Sequence, residues 1–421
     1  MLMKLFIALL IGLAAWQIFD PDLSLSPKEV VLRKALPMDV SYETTEAQSY
    51  LNRIRSKMNM LTLSTNDSLK KAAKAHAHYL TSNKESTHEE IEGHNNFLAV
   101  KPVERAFKSG YNSGHVSENL STSNHTAQQS VDGLFSAIYH RFGFLSTSIN
   151  EVGVGASQDE FNSNNSAFVF LMGNSDLNGL CAGKSYRGQG SYWKSCKDTS
   201  HHIKEKDFLE AMNYGKQNNP SLILYPYEGQ KEVPPVFYSE VPDPLPSYDV
   251  SGFPISVEFN DYYYKKIALL SFTLYDQRGN TIDVHLMDKA NDPHQRFTDK
   301  QFAIFPLKRL EYNARYRAEI VYRVKDKIEK HSWYFYTKNI TEKFHIVEKL
   351  YDNLTIVPKK SYVIYFRPVD AHDVMTDIEF PQDVDVQFLD NNTIKLTLMS
   401  DELDEFIINT GTKQLRITVQ H

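Results

Sequence analysis

Between residues 86 and 141 the chain gathers the side chains best able to do chemistry. The stretch STHEEIEGHNNFLAVKPVERAFKSGYNSGHVSENL places His88, His94 and His115 beside several carboxylates. The next stretch, SENLSTSNHTAQQSVDGLFSAIYHR, joins Glu118 to a helical pattern ending in Tyr139, His140 and Arg141. Two imidazoles and a carboxylate, where they converge in a cleft, suit Zn²⁺ or another divalent cation with water completing the shell. A zincin helix is excluded. It needs histidines at i and i+4, whereas His88 and His94 would point about 240° apart and Glu92 holds the i+4 place. A G-x-S-x-G nucleophile elbow is absent from the sequence. The chain has 15 histidines, so a lone one reads first as a solvated side chain. His76, on an apolar stripe, reads as buried and structural, His78, His94, His115 and His125 as surface residues, and Asn119 as a side chain bonding backbone in a turn.

These side chains must be positioned by helices and strands that the periodicity reveals. Leu51, Ile54 and Met58 recur at helical spacing from Ala47 onward, and a second helix starts after Asn66 or Asp67 with Leu69, Ala72, Ala73, His76 and Leu80 on one stripe. A third is expected from Gln128 to His140, striped by Val131, Leu134, Phe135 and Ile138. On that wheel His140 lies about 180° from Val131, so it faces solvent or a cleft rather than the core. NEVGVGAS and SAFVFLMGNS read as two short strands, which makes this block α+β. PPVFYSEVPDPLPSYDVSGFP is dense in proline, which fixes φ and removes backbone donors, and reads as an extended strap. Beyond it the period becomes two: Tyr316, Ala318, Ile320, Tyr322 and Val324 alternate with polar neighbours, and Trp333, Phe335 and Thr337 share a face. YVIYFRP and TIKLTLMS extend the β-rich region. The strap predicts a β-half, from about residue 250, that folds without the helical half.

At 421 residues several domains are expected, and a net charge of −6 without a long basic stretch argues against a nucleic-acid partner. MLMKLFIALLIGLAAWQIFD has the dimensions of an export signal; cleavage and retention as an N-terminal membrane anchor both stay open. In an oxidising compartment, the two cysteines, Cys181 and Cys196, are expected to form one disulfide.

The series LNRIRSKMNMLTLSTNDSLKKAAKAHAHYLTSNKESTH, PVERAFKSGY, SENL, AIYHR and NEVGVGA resembles the CAP (SCP/PR-1-like) superfamily in its bacterial form over roughly residues 45 to 175. The resemblance implies an α-β-α sandwich whose cleft collects two histidines and acidic residues, at which some members bind a divalent ion. It carries onto His88, Glu118 and His140. The family's second acidic residue falls where this chain has Ser136 or Ala137, with Asp132 and Glu104 as the substitutes on offer. FAIFPLKRLEYNARYRAEIVYRVKDKIEKHSWYFYT is similar to bacterial Ig-like modules, which implies spacers or binding surfaces without catalytic groups.

The expected organisation is a signal or anchor (1–19), a linker (20–44), a CAP domain (45–178), a disulfide-bearing and proline-rich strap (179–248), an Ig-like β domain (249–341) and a C-terminal β-rich module (342–421). The expected function is non-catalytic binding outside the cytoplasm, in the cell envelope or beyond it, of an ion, lipid, peptide or cell-wall component. The alternatives are a metal-assisted secreted hydrolase with Glu118 as general base, and an envelope adhesin whose β-modules bind.

Overall fold

A computed structural model describes residues 37–421 apart from 238–239 and 376–377, so the expected signal and most of the linker lie outside the described residues. The α+β block holds helices α1 (Val40–Lys57), α2 (Asp67–Asn83), α3 (Pro102–Lys108), α4 (Ala127–Ser136) and α5 (Ile138–Phe144). Its sheet contains β1 (Ser64–Thr65), β2 (Val116–Thr122), β3 (Glu151–Gln158) and β4 (Ser166–Gly173), in the order β1-β3-β4-β2. Asn66 caps α2 by accepting from Ser68 and Leu69 N–H, which fixes where that helix begins. Helix α2 lies directly on β3 because Gly153 and Gly155 have no side chain in the way: a Cβ on Gly153 would sit 1.9 Å from the Lys70 nitrogen.

The expected third helix is two helices. It breaks at Ala137, whose extended backbone (φ −70°, ψ 115°) ends α4 and starts α5. The wheel that carried His140 opposite Val131 therefore does not apply, because the two residues sit on different helices.

The disulfide forms, with Cα atoms 5.4 Å apart. It ties the last turn of α6 (Ser175–Ala182) to the loop that precedes α7 (Glu205–Gln217). Closing a loop of this length restricts the unfolded chain and stabilises by about 3 kcal/mol.

The strand-period half folds as expected. One module faces a five-stranded sheet (including Ala268–Tyr275, Arg315–Val324 and Lys327–Thr337) with a four-stranded one (including Leu222–Tyr225, Ile255–Phe259 and Gln301–Pro306). Tyr316, Ala318, Ile320, Tyr322, Trp333 and Phe335 point into its core, matching the alternation in sequence. A second module, from residue 343 onward, has its own core around Ile364, Leu396 and Ile417.

Strands Leu222–Tyr225 and Gln230–Val233, before the prolines, already pair into the first module. One apolar cluster runs from Leu51 on α1 through Phe135 and Phe170 to Tyr225, Phe253, Ile255 and Trp333. This packing argues against independent folding of the first β-module, because the two halves share one interior.

Candidate functional site

Glu118 projects from β2 and is buried, 2% exposed in its side chain. Arg105 of α3, fully buried, donates from one terminal nitrogen to both carboxylate oxygens at 3.1 and 2.9 Å. The same nitrogen donates to the His88 carbonyl at 2.9 Å, so Arg105 fixes the loop that carries His88 as well as the carboxylate beneath it. His88 Nδ1 lies 3.0 Å from Glu118 Oε1, and its ring is 44% exposed. Burial raises the Glu118 carboxyl, but the His88 hydrogen bond and the Arg105 charge outweigh it and hold the group below its ordinary value.

His140 sits in the first turn of α5. Asn119, beside Glu118 on β2, donates to its carbonyl at 2.7 Å. Asn119 thus bonds backbone as expected, but from a strand and across to the helix. The His140 ring faces that of His88, with centroids 6.3 Å apart and planes inclined by 23°. Its Nδ1 lies 3.1 Å from the buried carboxylate of Glu240. The other oxygen of Glu240 accepts from the N–H groups of Ile138 and Tyr139, which have no partner within the short helix. The same residue caps α5 and orients His140.

Glu240 belongs to the proline-rich strap, a hundred residues from His140. Neither substitute suggested by the sequence takes its place. Asp132 accepts from Tyr50 at 2.8 Å, under α1, and Glu104 accepts from the Lys101 N–H at the start of α3.

An ionised carboxylate only accepts hydrogen bonds, so both imidazoles donate from Nδ1 and keep a lone pair on Nε2. Two imidazoles oriented in this way by carboxylates form the outer-shell arrangement of histidine metal sites. Among the described residues no group of three or more His, Cys, Asp or Glu is arranged to hold a metal ion. The reason is visible at Glu118: its oxygens are engaged by Arg105 and His88, so it supports a ligand rather than being one.

The remaining histidines divide by environment. His76 is fully buried between Glu90 (2.9 Å) and the Thr87 carbonyl (3.0 Å). His78 is exposed, and His94 pairs with Glu85 at 2.9 Å near the surface. His125 is half-buried. His115 is not a surface residue: it is half-buried with Nε2 3.2 Å from Ser148 Oγ, and burial with the nearby Lys216 charge lowers its pKa.

Arg141, next to His140, is buried and reaches into the first β-module. It donates to the Pro254 carbonyl at 2.8 Å and to Ser256 Oγ at 3.1 Å, and lies over the Tyr225 and Phe253 rings. Burial pushes its pKa down to about 10. The short helix carrying His140 is therefore fixed between the strap and a β-strand.

Residues 48–173 match the model of the CAP family, the cysteine-rich secretory protein family. Similar solved structures include an outer surface protein from Borrelia burgdorferi, 22% identical over 32% of this chain and 95% of that one, with a TM-score of 0.29. Another is an extracellular protein containing an SCP domain from Bacillus anthracis, 15% identical over 32% of this chain and 40% of that one, with a TM-score of 0.28. No curated protein matches the chain.

Proposed function

From a chain whose residues 48–173 form a CAP domain, we propose an exported, non-catalytic binding protein that holds its ligand between His88 and His140. The observation that carries this reading is the facing pair of imidazoles, each aimed by a carboxylate on its Nδ1 side so that its Nε2 lone pair is kept. Such a pair suits a borderline divalent cation, Zn²⁺ first, with water filling the remaining positions. When bound, the ion would offer a positive centre for an anionic group of a larger ligand. His88 and His140 would hold it, and Glu118 and Glu240 would fix the rings.

The hydrolytic alternative needs Glu118 as a general base. Its carboxylate is buried, engaged by Arg105 and below its ordinary pKa, all of which weaken it as a proton acceptor. Export is supported by the apolar N-terminal run and by the disulfide.

Titration calorimetry with Zn²⁺ at pH 7.5 and 5.5 tests the proposal. Wild type should bind at pH 7.5 and lose affinity at pH 5.5, because an imidazole must be neutral to ligate and protons compete with the metal. His88→Ala and His140→Ala should each abolish the heat. Equal binding by all three proteins, or by none, would remove the metal role.

A further inference from the structure

A cavity of about 520 Å³, whose lining includes neither His88 nor His140, forms where three parts of the chain meet. Helix α5 contributes Phe142, the loop after it Ser146, Thr147 and Ser148, and α7 Met212 and Lys216; the first β-module contributes residues that include Glu258, Tyr264 and Lys265. The volume is in the range of small-molecule sites, which commonly form at domain junctions.

The lining alternates donors with acceptors. Lys216 pairs with Asp261 at 2.7 Å, Lys300 pairs with Asp299, and Gln301 donates to Glu258 at 3.1 Å. Ser146 and Ser148, also in the lining, have hydroxyls 2.9 Å apart. Phe142, Phe259 and Tyr264 add apolar surface. Among the described residues Lys265 is in no ion pair, its ammonium lying 5.7 Å from the Tyr262 ring centroid. With Glu258 protonated, the three amines face two ionised carboxylates, which leaves one positive charge. A lipid chain would find too much polar surface here, and a bare anion would meet Asp261 and Asp299 without using the hydroxyls or rings.

We propose that this cavity is a second ligand site, which takes a carboxylate-bearing sugar of an acidic polysaccharide. The sugar hydroxyls use the serines and paired ions, its C–H face lies on the aromatic surface, and its carboxylate is drawn to Lys265. Glu258 sets the pH response of the site. Burial pushes it up to about 7 with Asp261 adding to the rise, while the Gln301 hydrogen bond, Lys216 and Arg55 from α1 oppose it. His115, behind Ser148, has its pKa lowered by burial and Lys216, so it adds no charge near neutrality. Protonated Glu258 can donate to the ligand; ionised, it cancels the excess positive charge and repels the carboxylate.

Calorimetry on the full chain with a galacturonic-acid trimer and a neutral galactose trimer, at pH 6 and pH 8, tests this. The acidic trimer should bind wild type about tenfold more weakly at pH 8, the change that one proton with a pKa near 7 allows. Glu258→Gln should hold the pH 6 affinity at both pH values. Lys265→Ala, a change at an exposed side chain that leaves folding intact, should weaken binding by about tenfold at pH 6. The neutral trimer should bind more weakly, with no pH dependence. No binding of the acidic trimer to wild type at pH 6, or an unchanged pH response in Glu258→Gln, would overturn the proposal. Tighter binding of a triglutamate peptide would also overturn it, by making the site one for acidic peptides.

Discussion

At the scale of single residues, Glu240 and Glu118 do similar work from different parts of the chain: each holds one imidazole by Nδ1. Losing an outer-shell partner of this kind commonly costs 10–100-fold in metal affinity. Glu240→Ala should therefore weaken Zn²⁺ binding by about tenfold or more without abolishing it, and Glu240→Gln less, since an amide oxygen still accepts. Calorimetry separates these from the complete loss expected for His140→Ala. Glu118 carries a second prediction. Its folded pKa is depressed, so its contribution to stability is present above the ordinary carboxylate range and lost as pH falls through the folded value. Glu118→Gln, which removes one of the two buried carboxylates beside Arg105 and leaves only Glu90 at 3.6 Å, should cost about 3 kcal/mol at pH 7. Urea midpoints should show that penalty shrinking as pH falls below the ordinary carboxylate range, and a pH-independent penalty would contradict this origin. His88, Glu118 and His140 were legible because they sit in a recognisable order of motifs. Glu240 was not: nothing marks a carboxylate between prolines as the partner of a histidine a hundred residues earlier. His115 was misread because no stripe or motif places it, and its hydrogen bond to Ser148 joins residues 33 apart in sequence.

At the scale of elements, the site depends on two unusual joints. One is the break at Ala137, which turns α5 so that His140 meets His88. A continuous stripe from Val131 to Ile138 hid this break, since a helix of one more turn satisfies the same apolar positions. The partner that selects the break, Glu240 on the α5 N–H groups, is remote in sequence. The other joint is the seating of α2 on β3 at Gly153 and Gly155. Ordinary overpacking costs about 1–3 kcal/mol. Gly153→Ala should exceed that range, because the added methyl would meet helix backbone, which cannot rotate aside as a side chain can. Thermal unfolding would measure it, and a loss below about 1 kcal/mol would show that the helix shifts freely. Helices α1 and α2, strands β3 and β4 and the period-two modules were legible because their apolar positions repeat, whereas the short helices α3 and α6 and strand β2 carry no such repeat and, with α7, were not read.

At the scale of the whole molecule, the prolines suggested a boundary where the packing shows continuity. Proline density reports what the backbone cannot do locally and says nothing of which side chains lie beneath it. Ile138 and Phe142 of α5 pack with Phe237, Leu245, Phe297 and Phe305, so strap and module cover the helix that carries His140. A chain ending at residue 178 should lack a cooperative thermal transition, while one ending at 341 should retain it, since the second module has a core of its own. Circular dichroism of the two truncations checks this, and a cooperative transition in the shorter chain would contradict it. The facing pair of imidazoles is accordingly positioned by the CAP domain and the strap together. The most direct test is a long-range ¹H–¹⁵N spectrum of the full chain, labelled at histidine and recorded at pH 7.5 before and after Zn²⁺. Without metal, His88 and His140 should show the tautomer protonated at Nδ1, and Zn²⁺ should move their Nε2 signals and no others. Nδ1 signals that move instead, or a response confined to other histidines, would contradict the paired-imidazole site.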